Sequence, residues 1–326
     1  MRRTVVSWLV AVGLVLIASI GGVATANATV FGAGAFVRDY LDTLARGDAK
    51  SALGIPGVND GGADDALLTD AVLRTGARLS DISQVSDTES AGIHTVTVRW
   101  HAGGQQGESS FEVERDGSRL GLFPAWRFAT PPVALVPVTV AGDSRFRVND
   151  VPASTGTAGD ADTFALFVPG AYDVDARTRL LSAPAQTLVA DTTGDADAVE
   201  LEVKPTTGFQ QRLQKEVDGF LDSCATQKVL QPTGCPFGQV IDDRVSSPPT
   251  WTISTYPVIR IGAGDGAGKW QVSPTTGTAN LTMDVQALAD GTVSPYDEDV
   301  EFRVAYDVTV KGDTITITPI DLGDDG

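Results

Sequence analysis

The sequence predicts an α+β chain, because a helical pattern precedes runs of strand at both ends and a purely strand-like stretch lies between them. A third observation sets the frame. The chain opens Met1-Arg2-Arg3-Thr4 and carries no further charge until Arg38, and Val5 to Ala28 is strongly apolar. About 20 apolar residues suffice to cross a bilayer as a helix, and arginines ahead of the run orient it with everything downstream outside. Residues 1–33 are therefore expected to be a membrane anchor or signal segment carrying an extracytoplasmic body. Ala26-Asn27-Ala28 offers the alternative of cleavage near Ala28 and secretion. The anchor is favoured because the uncharged stretch exceeds a usual signal core and runs almost directly into a helix at Phe36.

Residues 34–130 open on Phe36, Val37, Tyr40, Leu41 and Leu44, which recur at helical spacing and form one apolar stripe. Gly47-Asp48 ends that helix and caps a short second one, and Leu67, Leu68, Ala71 and Val72 predict a third. Alternation follows: His94, Val96, Val98 and Trp100 share one face of a strand, with Phe111, Val113 and Trp126-Arg127-Phe128 in later strands.

Pro131-Pro132 marks a boundary. Residues 131–206 show only strand-like runs, such as Leu135 to Val140 and Thr163 to Val168, and predict a small all-β sandwich. Residues 207–321 repeat the plan of the first unit. Phe209, Leu213, Val217, Phe220 and Leu221 form a helical stripe, and strands follow, the clearest from Val300 to Val310. Residues 322–326 are an acidic tail.

Phe36 to Asp48, followed by Ala49 and Ala52-Leu53, resembles the opening of cone-shaped NTF2-like domains, in which a helix lies across a curved sheet and encloses a pocket. The resemblance implies two NTF2-like helix-plus-curved-sheet domains flanking the β-sandwich, after an N-terminal membrane helix. The stretch Phe167 to Tyr172 resembles the Pro-Gly-x-Tyr hairpin of small β-domains in bacterial envelope proteins. The whole order is similar to the extracytoplasmic arrays of membrane-anchored envelope proteins such as the teicoplanin-resistance-associated family.

The chemistry is sparse. With 24 basic and 42 acidic residues the net charge is −18, which disfavours a nucleic-acid or anionic-lipid surface as a partner. Cys224 and Cys235, the only cysteines, are expected to close a disulfide around a loop containing Pro232 and Gly234, since export permits it. A metal site needs more ligands than two thiols. The acidic clusters lack calcium-loop spacing, and Gly262 to Gly268 leads into a strand, as a hairpin connection does and a phosphate loop does not. There is no nucleophile elbow and no zinc-binding helix. No catalytic, cofactor or metal residue is assigned.

The expected function is therefore non-catalytic: a membrane-anchored envelope protein that binds a cell-wall component, a lipid or another envelope protein. Tyr40, His94 and Trp100 are the candidate pocket residues in the first cone. The alternative is an enzyme of isomerase or dehydratase type there, with His94 or a pocket Asp as base and Tyr40 as hydroxyl donor.

Overall fold

A computed structural model describes residues 31–119, 123–266 and 268–322. The apolar N-terminal run falls outside the described residues, as does most of the acidic tail. Among the described residues no helix is long and apolar enough to cross a membrane.

The chain is mostly β, with 51% strand and 15% helix in four helices among the described residues. This corrects the expected α+β class and its pair of NTF2-like cones. The reason lies in what the signal measures. A stripe such as Val37, Tyr40, Leu41 and Leu44 shows which face a helix buries, and any helix lying on any sheet needs one. It does not report how much strand surrounds the helix or how that strand is arranged.

Helix α1 (Ala33–Ala45) buries that stripe. Gly47, at φ +70°, makes the left-handed turn that ends it, and the Asp48 carboxylate caps α2 (Ala49–Leu53) by accepting from Ser51 N at 3.0 Å. Thr69 caps α3 (Asp70–Thr75) in the same way. An antiparallel meander follows: β1 (Leu79–Ser90), β2 (Ile93–Ala102), β3 (Gln105–Arg119) and β4 (Phe123–Phe128). On β2 the buried positions alternate through Val96, Val98 and Trp100 as the sequence requires. Gly107 faces Trp100 across the ladder, where a Cβ would lie 2.8 Å from the indole.

The central stretch comprises β5 (Val133–Ala141), β6 (Arg145–Val148), β7 (Val151–Ser154), β8 (Ala161–Phe167) and β9 (Gly170–Arg177). It continues with β10 (Leu181–Ala190), β11 (Gly194–Asp195), β12 (Val199–Glu202) and β13 (Lys204–Pro205). One sheet runs β13-β10-β9-β6-β7. In the other, β5 pairs antiparallel with β8 and parallel with β11 and β12. Phe146 of β6 meets Phe164 of β8 edge-on at 5.1 Å, so the two sheets share apolar faces.

Helix α4 (Thr207–Ala225) is capped by Thr206, whose hydroxyl accepts from Phe209 N at 3.1 Å. It is followed by β14 (Arg244–Val245), β15 (Thr250–Thr255) and β16 (Ile261–Ala263), then β17 (Lys269–Gln286), β18 (Val293–Lys311) and β19 (Thr314–Pro319). The two long strands β17 and β18 form one antiparallel ladder that organises this sheet, with β14, β15 and β16 along the outer edge of β17. The ladder slips between Val272 and Thr275, around Ser273-Pro274. A proline cannot donate to the ladder, and such an irregularity accommodates it.

Candidate functional site

Tyr40 and Trp100 are wholly buried. The Tyr40 hydroxyl donates to the Val168 carbonyl at 2.8 Å and lies 3.0 Å from that of Pro132. Its ring packs edge-on against Phe111 and Phe128. Burial pushes its pKa well above the usual tyrosine range, with the neighbouring Tyr172 adding to the shift. Trp100 donates from Nε1 to the buried Ser109 hydroxyl at 3.0 Å. Both side chains therefore close the core and face no open cavity.

His94 sits opposite Glu89 of β1. Its Nδ1 lies 2.8 Å from Asp87 Oδ1 and its Nε2 3.5 Å from Glu89 Oε2. The ring stands edge-on to Trp126 at 4.9 Å, and the Arg115 guanidinium lies 5.7 Å above the same indole. Trp126 is itself fixed by donating to the Phe31 carbonyl at 2.7 Å. Each ring nitrogen thus faces a carboxylate from the neighbouring edge strand, and His94 lines none of the cavities described below. The sequence identified the histidine but not Asp87, whose place depends on a register that slips twice between β1 and β2.

The third unit presents the larger concavity. Cys224, at the end of α4, is disulfide-bonded to Cys235, with Cα atoms 5.8 Å apart. The loop between them is held at other points too. Trp251 Nε1 donates to the Val229 carbonyl within it at 2.8 Å, and just past Cys235 the buried Phe237 ring packs on Trp251 and Phe302. Farther along α4, the Gln214 side chain accepts from Ile259 N at 2.9 Å and donates to the Pro257 carbonyl at 3.0 Å. Tyr256 donates to Asp222 on the same helix, which pushes the phenol up to about 12.

These attachments leave a groove of about 820 Å³ bounded by Cys235, Pro236, Phe302, Tyr306 and Pro319. It continues along α4 into a smaller apolar cavity of about 260 Å³ that shares Phe220, Tyr306 and Pro319 with it. Burial raises the Tyr306 pKa. Phe220 stays 41% exposed at the junction, although its helix neighbours Val217 and Leu221 are buried. The sequence placed Phe220 on the buried stripe with them; its position on the edge of that stripe leaves it over the groove instead. Among the described residues no group of three His, Cys, Asp or Glu side chains is placed to hold a metal ion.

No protein-family model matches this chain, and neither a curated protein nor a solved structure matches it.

Proposed function

We propose that this is an exported, membrane-anchored envelope protein that works by binding a partner outside the membrane. The observation that supports binding is the exposed Phe220 above a groove framed by the Cys224–Cys235 bond. A large aromatic left partly in water beside a preformed groove of mixed lining gains on the order of 1–2 kcal/mol of burial when a partner covers it, and such residues dominate interface energetics. Support for export comes from the same bond, since disulfides persist in oxidising compartments, together with the Arg2-Arg3 flank and the apolar run of the sequence. The occupant that fits is an envelope component with an apolar segment and hydrogen-bonding groups, matching the mixed lining of Phe302, Tyr306, Glu301 and Arg303.

A photoreactive amino acid placed at Phe220 in intact cells provides the test, with the same group at the exposed Val189 of β10 as control. The expected result is one discrete adduct, on protein accessible to protease added from outside, formed from position 220 and not from 189. Equal labelling from both positions, or a body protected from the protease, would overturn the proposal.

A further inference from the structure

The stretch 131–206 contains four arginines, and they come as two pairs, Arg145-Phe146-Arg147 and Arg177-Thr178-Arg179. A spacing of two puts both members of a pair on one face of a strand. Strands β6 and β9 are antiparallel neighbours, with Arg147 opposite Asp175, so Arg145, Arg147 and Arg177 share one face of the sheet, and Arg179 follows two residues past the end of β9. All four arginines line one groove of about 470 Å³, which Pro152, Ala153 and Asp313 also line.

The four are not equally engaged. Arg147 forms a two-pronged bond to Asp175, with Nε and NH2 at 2.8 Å from its two oxygens, and it also meets Asp150 at 3.1 Å. Arg145 is held by Asp143, Asp313 and the Gly312 carbonyl. These carboxylate bonds stabilise both cations, so their pKa values rise above the ordinary arginine value. Arg177 makes one bond, at 3.1 Å, to the Asp175 oxygen that already serves Arg147, and its side chain is 65% exposed. Arg179 is exposed and has no ion-pair partner among the described residues, while its backbone carbonyl is fixed by the Thr206 hydroxyl at 2.9 Å. A purely structural charge ladder would pair every member. Here one end of the groove is neutralised, and the other holds Arg177, which shares the Asp175 carboxylate with Arg147, and Arg179, which has no ion-pair partner among the described residues.

We propose that the Arg177–Arg179 end of this groove is a binding site for a phosphate monoester. Arg179, unpaired, and Arg177, which only shares a carboxylate, offer positive charge to a group that carries about −1.5 to −2 near neutral pH, and the guanidinium fork fits its oxygens two at a time. Pro152 and Ala153, which line the same groove, offer apolar surface to the organic body to which the phosphate is attached.

The test is titration of the purified body at low ionic strength with inorganic phosphate and, separately, with acetate, followed on the arginine Nε resonances. Phosphate is expected to saturate the Arg177 and Arg179 signals, with acetate at least about tenfold weaker. Arg179→Ala should weaken phosphate binding about tenfold, the loss of one charge-assisted pair. Its melting temperature should not move, because Arg179 makes no ion pair. Arg145→Ala, at the neutralised end, should bind phosphate as the parent does. Glycerol phosphate and vesicles containing phosphatidic acid then separate a soluble source from a lipid one; sensitivity of either to Arg179→Ala supports the site. Absence of saturable phosphate binding, equal affinity for acetate, or binding unaffected by Arg179→Ala in a folded protein would overturn it.

Discussion

The hydroxyl of Tyr40 on α1 donates to the carbonyl of Val168, 128 residues away, at 2.8 Å. It is one of several stitches between the first helices and the central sheets. Asn149, in the β6–β7 turn, donates to the Val72 carbonyl at 3.0 Å and accepts from Asp173 N at 2.9 Å. Asp64 lies against β8, donating from its backbone N to Thr163 O at 3.0 Å and accepting at its carbonyl from Ala165 N at 2.9 Å. The helices at 33–75 therefore share buried bonds with the strands at 133–190.

Removing the Tyr40 hydroxyl tests that coupling. Tyr40→Phe keeps the ring in its aromatic cluster but leaves the Val168 carbonyl without its side-chain donor, while the Pro132 carbonyl still accepts from Val168 N at 3.0 Å. The expected cost is about 1–3 kcal/mol, the penalty of an unsatisfied buried polar group. Urea unfolding should report it, and fluorescence of Trp100 in the first sheet should unfold together with the central strands. A loss below about 0.5 kcal/mol would show that water replaces the hydroxyl.

Much of the local structure was legible. The α1 stripe, the Asp48 cap, the alternation along β2 and the antiparallel pairing of β16 with β17 all follow from spacing and turn chemistry within a few residues. What was not legible depends on residues far apart in sequence. The partners of Tyr40 lie 92 and 128 residues away, and the two arginine pairs meet only because β9 returns beside β6 after β7 and β8 have intervened. Helical periodicity located the helices correctly and still gave the wrong fold class, since it carries no information about sheet order.

Tyrosine titration predicts the alkaline limit of stability. Tyr40 and Tyr172 have pKa values raised by burial, and the Asp222 bond pushes Tyr256 up to about 12. An acid whose folded pKa exceeds its unfolded value of about 10 binds more protons when folded. Its contribution is fully present below about pH 10 and is lost as pH rises through the folded value. Denaturant midpoints should therefore be insensitive to these groups at neutral pH and fall above about pH 10, with tyrosinate absorbance appearing together with unfolding. Free ionisation of all the tyrosines near pH 10 in a folded protein would contradict this.

Replacing both cysteines, Cys224→Ala with Cys235→Ala, tests the frame of the groove. Loop closure over a separation of 11 residues restricts the unfolded chain and contributes about 3 kcal/mol. The double variant should lose about that much in urea unfolding and should form less of the adduct from position 220. Unchanged stability would mean that the Trp251 bond to Val229, with Phe237 packed just past the loop, holds it without the disulfide.

His94 offers the sharpest separation of structure from chemistry. Its two nitrogens face Asp87 and Glu89, and its ring edge rests on Trp126, so its surroundings describe a clamp between the edge strand β1 and β2. His94→Gln keeps a side chain able to donate to Asp87 and loses the ring contact. The expected cost is about 1 kcal/mol, the typical size for a point substitution, with the Phe220 adduct and phosphate binding both retained. A parallel Asp87→Asn variant should cost a similar amount and, combined with His94→Gln, less than the sum, because the two act through one bond. A variant that melts like the parent yet loses its biological role would instead place His94 in ligand binding or catalysis and remove the clamp reading.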